Sequence, residues 1–309
     1  MNWLDTEREI YDLALANTEA TNKALARVYL TVQQEIADEL KSFYLSVNPT
    51  WSETYQASRI AEIFKTVEQR LNILTQITTE QIEKSFLKQY QEVFNNYAYD
   101  LSDYYSTPQT FTILPFSQVS ESVIKAALNE KVGEYSFLTS MQDKQAGLQQ
   151  GLREAVAISI AKGESVADLS ARLQDLFDSG ISRYTTTART EMLKAYSLAQ
   201  EEATRQARDD MGIEFSYQWL GRSDGRERPE HVALNNKFAK IDENGEPYFI
   251  GGGCRGTGPR LFVGLKSAAM NINCRCRRLN IPMEISEEDK KNFPVINDRP
   301  DFNKYLEMI

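Results

Sequence analysis

The 309-residue chain contains one histidine, His231, and three cysteines, Cys254, Cys274 and Cys276. So small and odd a number of cysteines does not form a disulfide framework. A single imidazole leaves no second one to shuttle protons, and no Ser/His/Asp set, phosphate-binding loop or dinucleotide fingerprint is visible. Glycine is absent before Gly133, and prolines in the first half are confined to Pro49, Pro108 and Pro115. Long apolar runs are also missing. Ala155-Val156-Ala157-Ile158 is typical, far short of the roughly 20 residues a membrane helix needs. The start, Met1 to Glu7, has neither the basic opening nor the apolar middle of a signal peptide. The expectation is a soluble chain made in a cytoplasm, with no membrane partner.

Charge is uneven. The net charge is −9, which argues against a general nucleic-acid-coating role. Between Gly221 and Asn280, however, eleven Lys and Arg face six Asp and Glu, a local +5, so the remainder carries −14. A basic module is joined to an acidic body.

The stretches without breakers carry helical spacing. Leu25, Val28, Tyr29, Val32, Ile36, Leu40 and Phe43 form one stripe. Ile60, Ile63, Phe64, Val67, Leu71 and Leu74 form a second after the Asn48-Pro49 break, and Ile82, Phe86, Tyr90, Val93 and Tyr97 a third. Thr107–Pro115 reads as a connection or hinge. Leu148, Leu152, Ala155, Val156 and Ile160 mark a helix stopped by Gly163. Ser165 with Asp168 is a capping box for the next, which buries Leu169, Leu173, Leu176 and Phe177. Thr187–Met211 is a long helix with alanines at four-residue spacing, ended by Gly212. The period then changes: Ile213, Phe215, Tyr217 and Trp219 alternate as in a half-buried strand. The fold class expected is mainly α, a long-helix N-terminal body followed by a small, zinc-stabilised α+β C-terminal module. Its divisions are a helical region 1–115, a helical part 116–212, a strand and loop module 213–280, and a tail 281–309. The tail contains a short helix opened by Ser286 and Asp289, and suits either an arm for a partner or a segment packed on its own body.

All three cysteines and the histidine fall in that glycine-rich module. Three thiolates and an imidazole are a common tetrahedral zinc set, and such ions replace a hydrophobic core in loop-rich segments, contributing about 10 kcal/mol to folding. The expected ligands are therefore His231, Cys254, Cys274 and Cys276, with neighbouring arginines favouring the thiolate forms. Cys254 rests on spacing alone. Cys274-Arg-Cys276 is tighter than a CxxC pair and offers fewer backbone amides to the sulfurs. The competing readings are four unrelated residues that happen to lie close, or a catalytic ion with Asp224, Glu227 or Glu230 nearby; three thiolates would quench the acidity the latter needs.

The ordered set Ala188-Arg189-Thr190-Glu191, Trp219, Asp224-x-Arg226-x-Arg228-Pro229-x-His231 and Asn273-Cys274-Arg275-Cys276 resembles the phage head morphogenesis family, minor head proteins similar to the F protein of phage Mu. The resemblance covers roughly residues 150–280. It implies a non-enzymatic minor capsid protein, encoded near the portal protein, that assists procapsid assembly and DNA packaging or ejection. Implied partners are the portal and capsid or scaffold proteins, and the implied location is the capsid interior near the portal, after assembly in the host cytoplasm. The matched positions are Arg189, Glu191, Asp224, Arg226, Arg228, His231, Asn273, Cys274 and Cys276.

Arg222, Arg226, Arg228, Arg255, Arg260, Arg275, Arg277 and Arg278 would supply an arginine-rich surface for a partner or for the phosphates of double-stranded DNA, bound non-specifically. Pairing of these arginines with Asp224, Glu227 or Glu230 is the alternative. The rival function is a metal-dependent nuclease acting on phage or host DNA.

Overall fold

Stretches that lack glycine and proline become long helices, and the glycine-rich stretch becomes short strands. The computed structural model describes residues 2–46, 53–130 and 136–309. The Asn48-Pro49 break lies outside these residues. In chain order the elements are α1 (Trp3–Ser46), α2 (Glu53–Tyr104), β1 (Phe111–Thr112), α3 (Glu121–Asn129), α4 (Phe137–Lys162), α5 (Val166–Met211), β2 (Phe215–Leu220) and α6 (Pro229–Leu234). They are followed by β3 (Lys240–Ile241), β4 (Pro247–Gly251), β5 (Cys254–Gly256), β6 (Phe262–Val263), α7 (Ser267–Asn271), β7 (Arg277–Pro282), α8 (Glu287–Lys290), β8 (Val295–Ile296) and α9 (Phe302–Leu306). The chain is mainly helical, with its strands concentrated in the C-terminal part. No helix among the described residues is long and apolar enough to cross a membrane.

The caps act as their chemistry requires. Ser165 and Asp168 exchange hydrogen bonds at the start of α5, side chain to backbone in both directions (3.0 and 3.2 Å). Gly163 and Gly212 adopt left-handed backbone (φ 59° and 69°) where α4 and α5 stop. Two pairs of stripes merge. Those at Ile60–Leu74 and Ile82–Tyr97 belong to the single helix α2, in which Thr78 turns its hydroxyl back onto the Leu74 carbonyl (2.7 Å). The helices expected on either side of Gly180 are likewise one, α5.

Gly180 is there for packing. A Cβ at this position would lie 1.9 Å from the Tyr29 hydroxyl, so the helix interior accepts a residue of poor propensity to let that ring close in.

Two compact units are present, and neither is a single stretch of chain: residues 1–19, 84–134 and 189–309 form one, residues 20–83 and 135–188 the other. Among its described residues the second unit contains helices and no strand. Its buried side chains include Tyr29, Phe64, Val67, Leu71, Phe177 and Tyr184, with the Tyr29 ring edge-on to Phe177 (6.2 Å) and tilted against Tyr184 (5.6 Å).

The first unit holds every strand among the described residues. β2 pairs with β7 antiparallel, Phe215 opposite Pro282 through Leu220 opposite Arg277. A four-stranded sheet runs β3-β4-β5-β6. Its inner face presents Phe249, Cys254 and Phe262 to a small core around Trp219. Thr107–Pro115, expected as a connection or hinge, carries β1, which pairs with β8 of the C-terminal tail. That tail packs on its own unit: Tyr305 is fully buried and its hydroxyl meets Ser102 (3.1 Å).

The first turns of α1 lie against β7. Trp3, Glu7 and Tyr11, four residues apart and so on one helix face, reach it in turn. The Trp3 indole donates to the Asn280 carbonyl, Glu7 accepts from the Asn280 amide (3.2 Å), and the Tyr11 hydroxyl donates to the Arg275 carbonyl (2.6 Å). Gln200 of α5 also donates to Glu7 (3.0 Å). Burial pushes the Glu7 carboxyl up to about 7, against the Asn280 hydrogen bond and the charges of Arg277 and Arg278.

Candidate metal centre and arginine cluster

His231 sits in the single short turn of helix α6, which Pro229 opens at a first-turn position. Arg228, immediately before it, donates to the Ile272 carbonyl at the end of α7 (2.8 Å). Chain direction then reverses through Asn273, held in left-handed backbone (φ 55°). Cys274, Arg275 and Cys276 follow, with both cysteines buried and Arg275 partly exposed. The period of two in extended chain puts both sulfurs on the same side, so the tight knuckle is no obstacle to shared ligation.

The His231 Nδ1 lies 3.7 Å from the Cys274 sulfur and 3.5 Å from the Cys276 sulfur. Zinc–sulfur and zinc–nitrogen bonds of about 2.3 and 2.0–2.1 Å at a tetrahedral angle place those atoms about 3.6 Å apart. The three donor atoms all fall within 4.8 Å of one another, and all three residues are buried. Their donor chemistry and spacing fit a zinc ion. Cys254, the fourth expected ligand, lies on β5 in the same small core but outside this group.

The thiols are arranged asymmetrically. Burial opposes ionisation of Cys274, yet hydrogen bonds with Cys276 and His231 and the charge of Arg260 outweigh it and hold this thiol well below its usual range. The hydrogen bond to Cys274 and burial push the Cys276 thiol up. The pair therefore carries one thiolate readily and resists a second unless a cation is supplied.

Around the sulfurs the scaffold is tightly tied. Arg260 is 1% exposed and its guanidinium donates to the carbonyls of Cys274 (3.0 Å) and Cys276 (2.8 Å) and to Ser197 Oγ on α5 (2.8 Å). Trp219 packs edge-on against His231 (5.7 Å), Phe249 (5.4 Å) and Phe262 (5.8 Å). Arg260 and Arg278, expected on the basic surface, are inside. Arg278 is 2% exposed and spends its donors on Asn280, Thr257 and Thr204. Arg277 lies over the Tyr11 ring, while Arg255 stacks on Tyr248 (4.0 Å) and pairs with Asp242.

Four further arginines converge beside the knuckle. Arg275, Arg226 and Arg222 all reach the carboxylate of Asp224. Slight burial works against the Asp224 carboxylate, but the Arg226 amide and the Arg275 and Arg226 side chains hold its pKa down. Arg189 of α5 donates to Asn273 Oδ1 (3.1 Å), and Thr190 accepts from the Asn273 amide (2.9 Å). Partial burial and the charges of Arg275 and Arg226 lower the pKa of Arg189. Glu191, the next residue, is buried. Three separated segments, Arg189–Glu191, Asp224–His231 and Asn273–Cys276, thus meet at one place.

Residues 150–279 match the family described as Phage Mu protein F like protein. The chain carries a Mu F-like domain. No curated protein and no solved structure matches it. The Mu F-like domain runs from α4 into β7 and contains the metal-type trio, Arg260 and the arginine cluster. Trp3, Glu7 and Tyr11, which clasp its last strand, lie outside the matched residues. Sequence reasoning missed this clasp and the inward role of Arg260; a buried arginine that donates to neutral carbonyls has no partnering carboxylate to betray it.

Proposed function

We propose that the chain is a minor head protein of a phage, built into the virion during head assembly and acting at the portal and on packaged DNA. The observation that carries this is the Mu F-like match over residues 150–279, whose family points to phage head morphogenesis. Convergence of the three motif segments at one place supports it. In this reading a zinc ion held by His231, Cys274 and Cys276 is architectural: it would fix the knuckle and, through it, the guanidinium of Arg275. Both cysteines are 1% exposed, so an ion they hold is shut off from substrate on the sulfur side.

The exposed arginines give that surface its purpose. Arg222 and Arg226 have side chains 46% and 74% exposed, and with Arg189 and Arg275 they outnumber the one carboxylate they surround. Such a cluster suits phosphate contacts along duplex DNA without sequence reading. The acidic helices supply protein–protein contacts with portal and capsid. Two experiments test the reading. Mass spectrometry of purified virions should find the chain in few copies per particle; its absence from virions that package DNA normally would overturn the proposal. Filter binding should show affinity for duplex DNA that falls steeply with salt, with a log–log slope of roughly −3 for about three phosphate contacts. A supercoiled plasmid incubated with the protein and Mg²⁺ or Mn²⁺ should stay intact, and nicking would favour a nuclease.

A further inference from the structure

Behind the His231 ring lies a cavity of about 240 Å³ lined by Gly221, Ser223, Gly225, Glu227, His231, Val232 and Asn235. Neither cysteine lines it. The His231 Nε2 is a buried polar atom with no hydrogen-bond partner, in a residue 2% exposed. With Nδ1 turned to the two sulfurs, Nε2 must carry the proton whenever Nδ1 ligates a metal. A buried N–H donor without an acceptor is destabilising.

Acceptors converge on the same cavity. Glu227, just before the α6 N-cap Arg228, and Asn235, the α6 C-cap, both line it together with His231. Glu227 accepts from the Ser223 amide, and Asn235 Oδ1 accepts from the Gly221 amide (2.7 Å). A Cβ on Gly221 would sit 3.3 Å from the Asn235 amide group and 3.4 Å from a Glu227 carboxylate oxygen, so both side chains close in on this backbone position.

We propose that Glu227 is the positioning residue of the metal centre. Its carboxylate accepts the Nε2–H of His231 once a metal is bound, and so fixes the ring in the tautomer whose Nδ1 faces Cys274 and Cys276. This inference rests on the metal reading above. Histidine ligands generally donate their second N–H to a carboxylate, carbonyl or water, and loss of that partner weakens metal binding by about 10- to 100-fold. Charge agrees: two thiolates cancel a zinc dication, and buried Arg260 donates to carbonyl and hydroxyl oxygens, which leaves local positive charge for a carboxylate to answer.

The test is zinc affinity by chelator competition for the full chain and for Glu227→Gln, which keeps an acceptor for the Ser223 amide and removes the charge. Binding should weaken by about 10-fold or more, and the ligand-field spectrum of the cobalt-substituted protein should shift. Long-range ¹H–¹⁵N correlation on the zinc-loaded wild type gives a second, mutation-free readout: Nδ1 coordinated and Nε2 protonated. Coordination through Nε2, or equal affinity and spectrum in Glu227→Gln, overturns the inference while leaving the metal reading standing. A wild-type protein that binds no zinc overturns the metal reading itself.

Discussion

Glu7 offers a test in which the magnitude follows from one residue. Its carboxyl is buried between α1, α5 and β7 and its pKa is raised from 4.5 to about 7. Between those two values the folded chain holds a proton that the unfolded chain has released, so stability falls as pH rises through the window. The neutral carboxyl contributes fully below pH 4.5, and the contribution is lost by about pH 7. At 1.36 kcal/mol per unit the total is about 3 kcal/mol. Glu7→Gln removes the titration and keeps an oxygen to accept from Asn280 and Gln200. Other groups titrate too, Asp100 among them, raised to about 7 by burial and by Glu9; they are common to both proteins and cancel in the difference. Urea unfolding followed by tryptophan fluorescence, with Trp3 and Trp219 both in this unit, gives that difference at each pH. The Gln variant should gain about 3 kcal/mol on the wild type between pH 4 and pH 8. A difference that stays flat across this range would refute the buried-carboxyl argument.

Two further substitutions probe packing and the knuckle. Gly180→Ala should destabilise the helical unit by about 1–3 kcal/mol, because the new methyl meets the Tyr29 hydroxyl. Tyr29→Phe should be nearly neutral alone, since that hydroxyl has no hydrogen-bond partner, and should recover part of the loss in the double variant; no coupling in thermal melts would rule out the clash. Arg260→Met should cost roughly 3 kcal/mol or more by stranding the Cys274 and Cys276 carbonyls, whereas a surface arginine would lose under about 0.5 kcal/mol.

Much of the helical part was readable because period and punctuation agreed. Leu25 to Phe43 became one largely buried stripe, Ser165 opened its helix, and Gly163 and Gly212 ended theirs as their chemistry dictates. The misreadings came where packing outweighs local preference. The helix expected to bury Phe177 and the one expected from Thr187 are a single α5, in which Gly180 seats Tyr29. Thr107–Pro115 lies in the connection between α2 and α3, and the short strand it adds was not legible because its partner at Val295–Ile296 is far away in sequence. At the site, His231, Cys274 and Cys276 were legible from rarity: the only histidine and two of three cysteines carry little competing explanation. Cys254 shared that rarity, yet a glycine-rich approach placed it elsewhere in the same core. Arg278 and Arg260 were read as surface because arginine usually is; Arg260 bonds two carbonyls and a hydroxyl, and Arg278 adds to such neutral partners a long ion pair with Glu201 (4.0 Å). The clasp of Trp3, Glu7 and Tyr11 on β7 joins the two ends of the chain, a pairing that no local period encodes.

Zinc content per folded chain tests the central claim most directly. Elemental analysis of wild type, of the Cys274→Ser/Cys276→Ser double variant and of Cys254→Ser separates the possibilities. The account predicts about one zinc in the wild type, none in the double variant, and retention in Cys254→Ser, whose sulfur lies outside the donor group. A stably folded, metal-free wild type purified without chelators and unresponsive to added zinc would contradict it.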